Sequence, residues 1–526
     1  MGIRSTMENE FEGTIVTHLE NSGWWHDPDT TNSGWDKARA LYVPDVLYWL
    51  ETQFPEEFTK AVPEGLIGVQ REVYIAKLLD RLVEMLDKAP ILNARTKKVQ
   101  HGLLGTLRNG FSHSQRGQMK ATFPNMVAFY PENPLYTSAI EDAKKNRLRV
   151  LRQVPLDVTG TDTLDLVLTV NGIPVVTLEL KTDNTQAVRD AIKQYKMDRK
   201  PNQNRPLLKP GRSLVHFAVS NQEVYMATAL AGLDTFFLPF NQGNDGHAGN
   251  PANPNGSDTA YLWCEVFEPE LFLRILRDYA LWEPASKGNS GRLVFPRYHQ
   301  LRATEKVIGD ITDRARAGDS GVGGRYLIQH SAGSGKTKTI AWLAHRAGRV
   351  IDPAGKPVFD SVIVVTDRTV LDDNVKEGLD LLRASEGLVV NVDDKLGSKS
   401  KTLEAALSEG GHIISCTIQT FPALAKMMET SPALQGRNYC VIMDEAHSSQ
   451  HGEAATRLRE ILVNVGAPAL GDEDVTSDEV LLAMDKAVAN ASNLSFIALT
   501  ATPKAKTLAA YGSIDPDDPN RRVAFD

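Results

Sequence analysis

NYCVIMDEAH, residues 438–447, is the stretch whose reading decides the fold of the C-terminal half. Tyr439 to Met443 form a short apolar run that stops abruptly at Asp444 and Glu445. A buried parallel strand looks like this when it delivers charge at its carboxyl end, because helices on both faces leave it no polar side. In open α/β sheets, ligands gather at the carboxyl ends of strands. Two adjacent carboxylates there suit a division of labour, in which one holds Mg²⁺ through water and the other orients or deprotonates an attacking water. The competing reading is a strand running into a solvated acidic turn, and the sequence upstream weighs against it.

That sequence is HSAGSGKTKT, residues 330–339. Arg325–Gln329 (RYLIQ) reads as a strand and Lys336–Ala347 as a helix. Gly333 and Gly335, with Ser334 between them, let backbone N–H groups close around phosphate oxygens where larger side chains would intrude. The helix N-terminus adds its dipole. Lys336 reaches the terminal phosphates and the Thr337 hydroxyl ligates Mg²⁺. His330 stands where the pattern G-x-x-x-x-G-K-[ST] has its first glycine. The strand–loop–helix context and the later Asp444–Glu445 pair carry the reading, and ATP is the expected cofactor.

The rest of this half alternates in the same way. Strands are expected at 325–329, 361–366, 412–418, 439–443 and 495–500, with helical patterns such as 370–383 and 452–464 between them. That predicts a doubly wound parallel sheet over 293–526. LWEPASKGNSGR, residues 281–292, reads as a linker, which leaves 1–280 as a separate domain.

Within that domain, 7–130 reads mostly helical: Phe11, Ile15 and Leu19 recur at i, i+4, i+8, and further helical patterns cover Arg39–Phe54 and Leu66–Leu86. From Arg147 the pattern turns to strands. In TDTLDLVLTVNGIPVVTLELKTD, residues 161–183, two strands (Leu164–Val170 and Val175–Lys181) flank Asn171-Gly172-Ile173-Pro174, a hairpin signal. Strand alternation puts Glu179 and Lys181 on one face. Folding the hairpin about a two- to four-residue loop sets Asp165 opposite 178–180. Asp165 and Glu179 are then close enough to share a divalent cation, with Lys181 beside it to orient a water or steady a developing phosphorane charge. The bland reading is a surface hairpin with a cross-face ion pair. Against it, charge interrupts an otherwise apolar strand, where burial is costly unless used. A helix at 187–199 could bring Gln194 or Tyr195 near. A second hairpin is expected at 216–228, a loop at 241–258, and a strand followed by a helix at 261–279.

With 526 residues the chain exceeds one core, and its 42% hydrophobic and 24% charged residues describe an ordinary globular protein. No apolar run reaches the roughly 18 residues a membrane span needs. Three scattered cysteines form neither a zinc spacing nor a disulfide framework, which fits a reducing cytoplasm. The net charge of −8 argues against nonspecific nucleic-acid binding, yet the charge is uneven. Lys144–Arg152 holds five basic residues and no acid, and Lys193–Arg212 holds seven against one Asp. Both flank the hairpin. Either is a solvated face or a track for a polyanion.

The ordered set FPRYHQ (295–300), SAGSGKT (331–337), VVTDRT (364–369), TIQTF (417–421), DEAH (444–447) and LTATP (499–503) resembles motifs Q, I, Ia, Ib, II and III of superfamily 2 helicases. Such a lobe behind a D…E-x-K domain resembles the restriction (R) subunit of type I restriction–modification enzymes, with VNGIPVVTLELK close to that family's nuclease signature. The resemblance spans roughly 147–526. It implies an α/β chain with a PD-(D/E)xK-like nuclease domain bearing helical insertions, then a RecA-like helicase lobe.

The same resemblance implies roles. Gln300 would read adenine, with Tyr298 or Phe295 near the base. Gly333, Ser334, Gly335, Lys336 and Thr337 would hold phosphate. Asp444 and Thr337 would support Mg²⁺, Glu445 would activate water, and His447 with Thr500–Thr502 would couple nucleotide state to DNA. Asp165, Glu179 and Lys181 would form a Mg²⁺-dependent nuclease site, with Gln194 carried over from that family's Q-x-x-x-Y pattern. Glu12 has two readings, an N-terminal helix glutamate of the kind related nucleases use or a residue of a capped surface helix. Implied partners are double-stranded DNA and the methylation and specificity subunits, with S-adenosylmethionine entering only through the former. After LTATP the chain reaches only Asp526, short of a second RecA-like lobe. Weak ATP binding, poor hydrolysis and no translocation by this chain alone are therefore expected. Three alternatives stay open: a helicase or remodelling ATPase with a non-cutting N-terminal domain, a nucleotide-gated interaction protein, and a type III restriction subunit.

Overall fold

The computed structural model describes the chain from residue 3 to 526 apart from 27–31, 94–95, 97, 116–118, 183–186, 245, 286–290, 332, 367–377, 380–388, 392–411, 418–430, 433, 435, 445–492, 504–507, 509–510 and 516–520. The chain divides into two compact units, 1–131 with 136–299 and 132–135 with 300–526.

The first unit is built on a seven-stranded sheet whose strands lie in chain order: β1 (Trp25–His26), β2 (Leu148–Pro155), β3 (Thr163–Val170), β4 (Ile173–Leu180), β5 (Val215–Val219), β6 (Val224–Ala227) and β7 (Leu238–Pro239). The β1–β2 and β4–β5 pairs are parallel and the rest antiparallel. All eight residues of β4 are buried, which is why IPVVTLEL reads as a nearly continuous apolar run. Each buried Val, Leu or Ile there contributes about 1.5–3 kcal/mol.

The β3–β4 turn is tighter than the sequence suggested. Asn171 and Gly172 alone form it, with φ of 49° and 79°, the two positive values of a type I′ turn. Ile173 and Pro174 therefore belong to β4, and the register shifts between Pro174 and Val176. Gly172 cannot be replaced without strain, because a Cβ there would come within 2.3 Å of the Tyr42 carbonyl.

Helix α1 (Ile3–Asn21) buries Phe11, Ile15 and Leu19 as their spacing predicts. Helix Val43–Gln53 falls within its expected range, and Gly68–Asp87 runs one residue past the expected end. The region is less purely helical than expected, since short pairs join 35–36 to 41–42, 91–92 to 99–100 and 111–113 to 121–123. Two- and three-residue strands carry no periodicity to read. Between β4 and β5 runs α2 (Ala187–Met197), which buries Val188, Ala191 and Tyr195 at i, i+3 and i+7.

Two expectations fail here. Residues 262–279 form helical turns (Leu262–Val266, Pro269–Arg274, Ile275–Tyr279) broken only at 267–268, with no strand. The aromatic, β-prone run was misleading because its side chains serve edge-to-face packing: Phe267 lies 5.9 Å from Phe217 and 5.8 Å from Phe272. The expected linker begins and ends in a strand pair, Leu281–Glu283 antiparallel to Arg292–Val294.

In the second unit, helix α3 (Tyr298–Arg316) leads from the first unit into a six-stranded sheet. Its strands are β8 (Arg325–Gln329), β9 (Ser361–Thr366), β10 (Val389–Asn391), β11 (His412–Thr417), β12 (Tyr439–Met443) and β13 (Leu494–Thr500). The spatial order is β8-β13-β12-β9-β11-β10 and every pair is parallel. Helix α4 (Lys336–Ala347) follows β8. The result is a parallel α/β sheet whose carboxyl ends share one edge. Of the expected intervening helices, 452–464 and nearly all of 370–383 lie outside the described residues.

Candidate active sites

The hairpin register fixes the first site. Leu166 pairs with Leu178 and Val167 with Thr177, so one further step sets Asp165 across from Glu179. On the other side, Arg152 pairs with Leu166 and Val154 with Leu164, which puts Gln153 opposite Asp165. A polar row, Gln153–Asp165–Glu179, thus crosses three apolar strands. The Asp165 carboxylate accepts the Leu180 N–H at 2.7 Å and the Gln153 amide at 3.4 Å.

Glu179 is fully buried. Its Oε1 accepts from Arg199 Nε at 2.6 Å, while its Oε2 is buried with no hydrogen-bond partner. Burial first, and the like charge of Asp165 second, push the Glu179 carboxyl up to about 8 against the pull of Arg199. An orphaned buried carboxylate oxygen beside a second carboxylate fits a divalent cation. Among the described residues no three His, Cys, Asp or Glu side chains converge. The set is therefore two carboxylates, the number by which Mg²⁺ is commonly held.

Lys181 lies just past the end of β4, where its N–H still donates to Val219 at 2.9 Å. Its ammonium donates to the Leu180 carbonyl at 2.9 Å and lies 3.7 Å from Glu8 on α1. Glu12, one turn further on, is buried. It accepts from Arg152 at 2.6 Å and from Gln153 at 2.8 Å. The surface-helix reading of Glu12 is thereby excluded.

Helix α2 delivers different groups from those expected. The Gln194 side chain bonds to neither carboxylate. Its backbone carbonyl takes the N–H groups of Asp198 and Arg199 as the helix ends. Tyr195 is buried and shares a 2.8 Å hydrogen bond with Thr177, which also bonds His216 Nδ1 at 2.7 Å. Burial pushes His216 down to about 3, so this chain is neutral. Arg199, not foreseen, reaches Glu179 and also donates to the Thr163 carbonyl at 2.8 Å. It sat inside a basic segment of the sequence, but nothing there set its side chain apart.

The basic segments divide sharply. Between 144 and 152, Lys144, Lys145, Arg147, Arg149 and Arg152 all pair with carboxylates, the lysines with exposed neighbours one turn away and the three arginines with the buried Asp45 and Glu12. In the other, Arg199, Arg205, Lys209 and Arg212 are paired. Among the described residues Arg189, Lys193, Lys196 and Lys200 make no ion pair. Arg189, Lys193 and Lys196, at i, i+4 and i+7, form one face of α2 opposite its buried stripe, and Lys200 follows just beyond the helix end.

The second site lies at the shared strand edge. Gly333 (φ 76°) and Gly335 (φ 87°) turn the chain in left-handed conformations between β8 and α4, and Lys336 and Thr337 open the helix. The Gln300 amide donates to the carbonyls of Ser334 at 3.1 Å and Gly335 at 3.2 Å. A Cβ on Gly335 would meet that amide at 2.5 Å. The His330 N–H bonds the Thr500 carbonyl at 2.9 Å, tying the loop to the end of β13, and the Asp444 N–H bonds Val365 at 3.0 Å at the end of β12. Only β13 separates β8 from β12, so the loop and Asp444 stand about 10 Å apart across the sheet. Glu445 and His447 lie outside the described residues. Phe295 and Tyr298 pack among aromatic neighbours. Both are buried in the first unit's core, Phe295 6.0 Å from Phe217 and Tyr298 4.7 Å from Tyr261, with the Tyr298 hydroxyl on Glu265. Their aromatic rings read equally well as a base platform or as core.

Comparison with known proteins adds an independent observation. A family model for the SWI2/SNF2 ATPase matches residues 299–514, and one for the N terminus of the type I restriction enzyme R protein matches 134–235. The HindI type I restriction enzyme endonuclease subunit of Haemophilus influenzae is 25% identical over 363 residues, covering 66% of this chain and 31% of that protein. The SsaAORF53P endonuclease subunit of Staphylococcus saprophyticus is 24% identical over 337 residues, covering 62% and 32%. The chain thus spans about a third of the length of these curated relatives. Among the described residues no helix is long and apolar enough to cross a membrane.

Proposed function

We propose that this chain, which is similar in both matched regions to type I restriction enzyme endonuclease subunits, carries a Mg²⁺-dependent DNA-cleaving site and an ATP-driven motor lobe of such a complex. The observation that supports cleavage is Asp165 standing across from Glu179, whose second oxygen is buried without a partner. Asp165 and Glu179 would hold the divalent cation, which when bound supplies Lewis acidity to the scissile phosphate. Lys181, two residues beyond Glu179, steadies negative charge developing on phosphorus. The unpaired face of α2 suits a DNA backbone, since exposed lysines release counterions on meeting phosphates.

In the second unit Gly333, Ser334, Gly335, Lys336 and Thr337 hold the ATP phosphates, and Asp444 with Thr337 supports Mg²⁺. Gln300 braces the loop from beneath and reads adenine. Glu445 and His447 take the roles that the helicase resemblance implies. Double-stranded DNA and the methylation and specificity subunits are the partners, and S-adenosylmethionine acts only through the methylation subunit. The proposed compartment is the cytoplasm.

One observation favours a second reading. Arg199 already neutralises Glu179, as a DNA-binding domain that no longer cuts would require. Lys181→Ala separates the two. The Lys181 ammonium bonds the part-buried carbonyl of its neighbour Leu180 and faces Glu8, and β4 keeps its backbone ladder without it, so the fold survives. The assembled enzyme is expected to lose about 10²–10³-fold in DNA cleavage while its ATP hydrolysis stays unchanged. Undiminished cleavage would favour the non-cutting reading.

A further inference from the structure

We propose that Gln153 is a positioning residue: its carboxamide joins Glu12 of α1 to Asp165 of β3 and so sets the orientation of the Asp165 carboxylate. This rests on the nuclease reading of that row.

Three observations carry it. Gln153 occupies a left-handed conformation (φ 47°) near the end of β2, between Arg152 and Val154, which both pair with β3. A residue with a side chain holds such a backbone inside a strand only where its surroundings over-determine it. Those surroundings are the hydrogen bonds of the amide. Nε2 donates to Glu12 at 2.8 Å and to Asp165 at 3.4 Å, and Oε1 accepts the Thr163 hydroxyl at 3.0 Å. Glu12 is itself fixed, buried and paired with Arg152 at 2.6 Å. The far oxygen of Asp165 takes the Leu180 N–H, so the Gln153 bond restrains the carboxylate from its other side.

The chemistry suits glutamine in particular. A primary amide offers two N–H groups to two carboxylates without adding charge. A lysine or arginine at the same place would neutralise Asp165 and compete with a cation for it. Gln153 touches no reacting atom in this arrangement and acts through Asp165.

The strained backbone supplies a discriminating experiment. Gln153→Gly relieves the positive φ, so the melting temperature is expected to hold or rise. The amide is lost, and Mn²⁺ affinity, measured by calorimetric titration of this chain, is expected to fall about 10–100-fold, as when a group that orients a metal ligand is removed. Cleavage by the assembled enzyme should fall in parallel. Gln153→Asn tolerates the same backbone but is one methylene too short to span both carboxylates, and the same losses are expected. If either variant folds and keeps wild-type Mn²⁺ affinity and cleavage, the positioning role is overturned. Asp165→Asn serves as the reference. If it too leaves Mn²⁺ binding and cleavage intact, the nuclease reading fails, and the role of Gln153 with it. If Asp165→Asn is inactive while Gln153→Gly is unaffected, only the role of Gln153 fails.

Discussion

Replacing Asp165 by alanine is expected to lower Mg²⁺-dependent DNA cleavage by the assembled enzyme by about 10³-fold or more, corresponding to the several kcal/mol of charge stabilisation that a bound cation supplies. Asp165 faces Glu179 across the hairpin, and its removal leaves a single carboxylate that Arg199 already neutralises. A lone, paired carboxylate is a poor ligand for a hard cation that prefers several oxygens. The fold should tolerate the change, since Asp165 is only partly buried and β3 keeps its apolar residues. Asp165→Asn sharpens the result. It preserves shape and an acceptor for the Leu180 N–H, so an equal loss would isolate the charge as the cause. Gel assays of plasmid cleavage, with ATP turnover as the control, read both variants.

Asp45→Ala is expected to destabilise the first unit by about 3–5 kcal/mol, the cost of breaking a buried ion pair and leaving its cation without a counter-ion. Asp45 is fully buried and accepts from Arg149 at 2.6 and 3.0 Å and from Arg147 at 3.1 Å. Both guanidiniums also sit over aromatic rings, Arg147 3.4 Å above Tyr48 and Arg149 4.3 Å above Tyr42. The three charges and two rings tie the helix Val43–Gln53 to β2, so the truncation leaves the buried Arg149 and the half-buried Arg147 without their counter-ion. Urea unfolding of the chain measures it. A shift below 1 kcal/mol would mean that water reaches the two arginines once Asp45 is gone.

What could be read from the sequence follows from which forces act locally. The five parallel strands found in the sequence lie within a residue of their observed ends, because strands buried on both faces are apolar runs stopped by polar turns. The hairpin was legible for a similar reason: Asn171-Gly172 accepts positive φ at both positions and thereby fixes the register that brings Asp165 to Glu179. The glycines of the phosphate loop were legible too, since their φ values of 76° and 87° suit a residue without a side chain. Arg199 and Gln153 were not. One depends on where α2 ends relative to β4, and the other on a backbone angle that no residue type announces. The basic stretch at 144–152 misled for the opposite reason. The partners of its three arginines, Asp45 and Glu12, are about a hundred or more residues away in sequence.

The central claim is that Asp165 and Glu179 form one divalent-cation site. Diffraction from crystals of this chain soaked in Mn²⁺, recorded for anomalous scattering, tests it most directly. The account predicts a strong anomalous peak in contact with oxygens of both carboxylates, with the Arg199 guanidinium drawn back from Glu179. Absence of that peak at saturating Mn²⁺, with Arg199 still paired to Glu179, would contradict it.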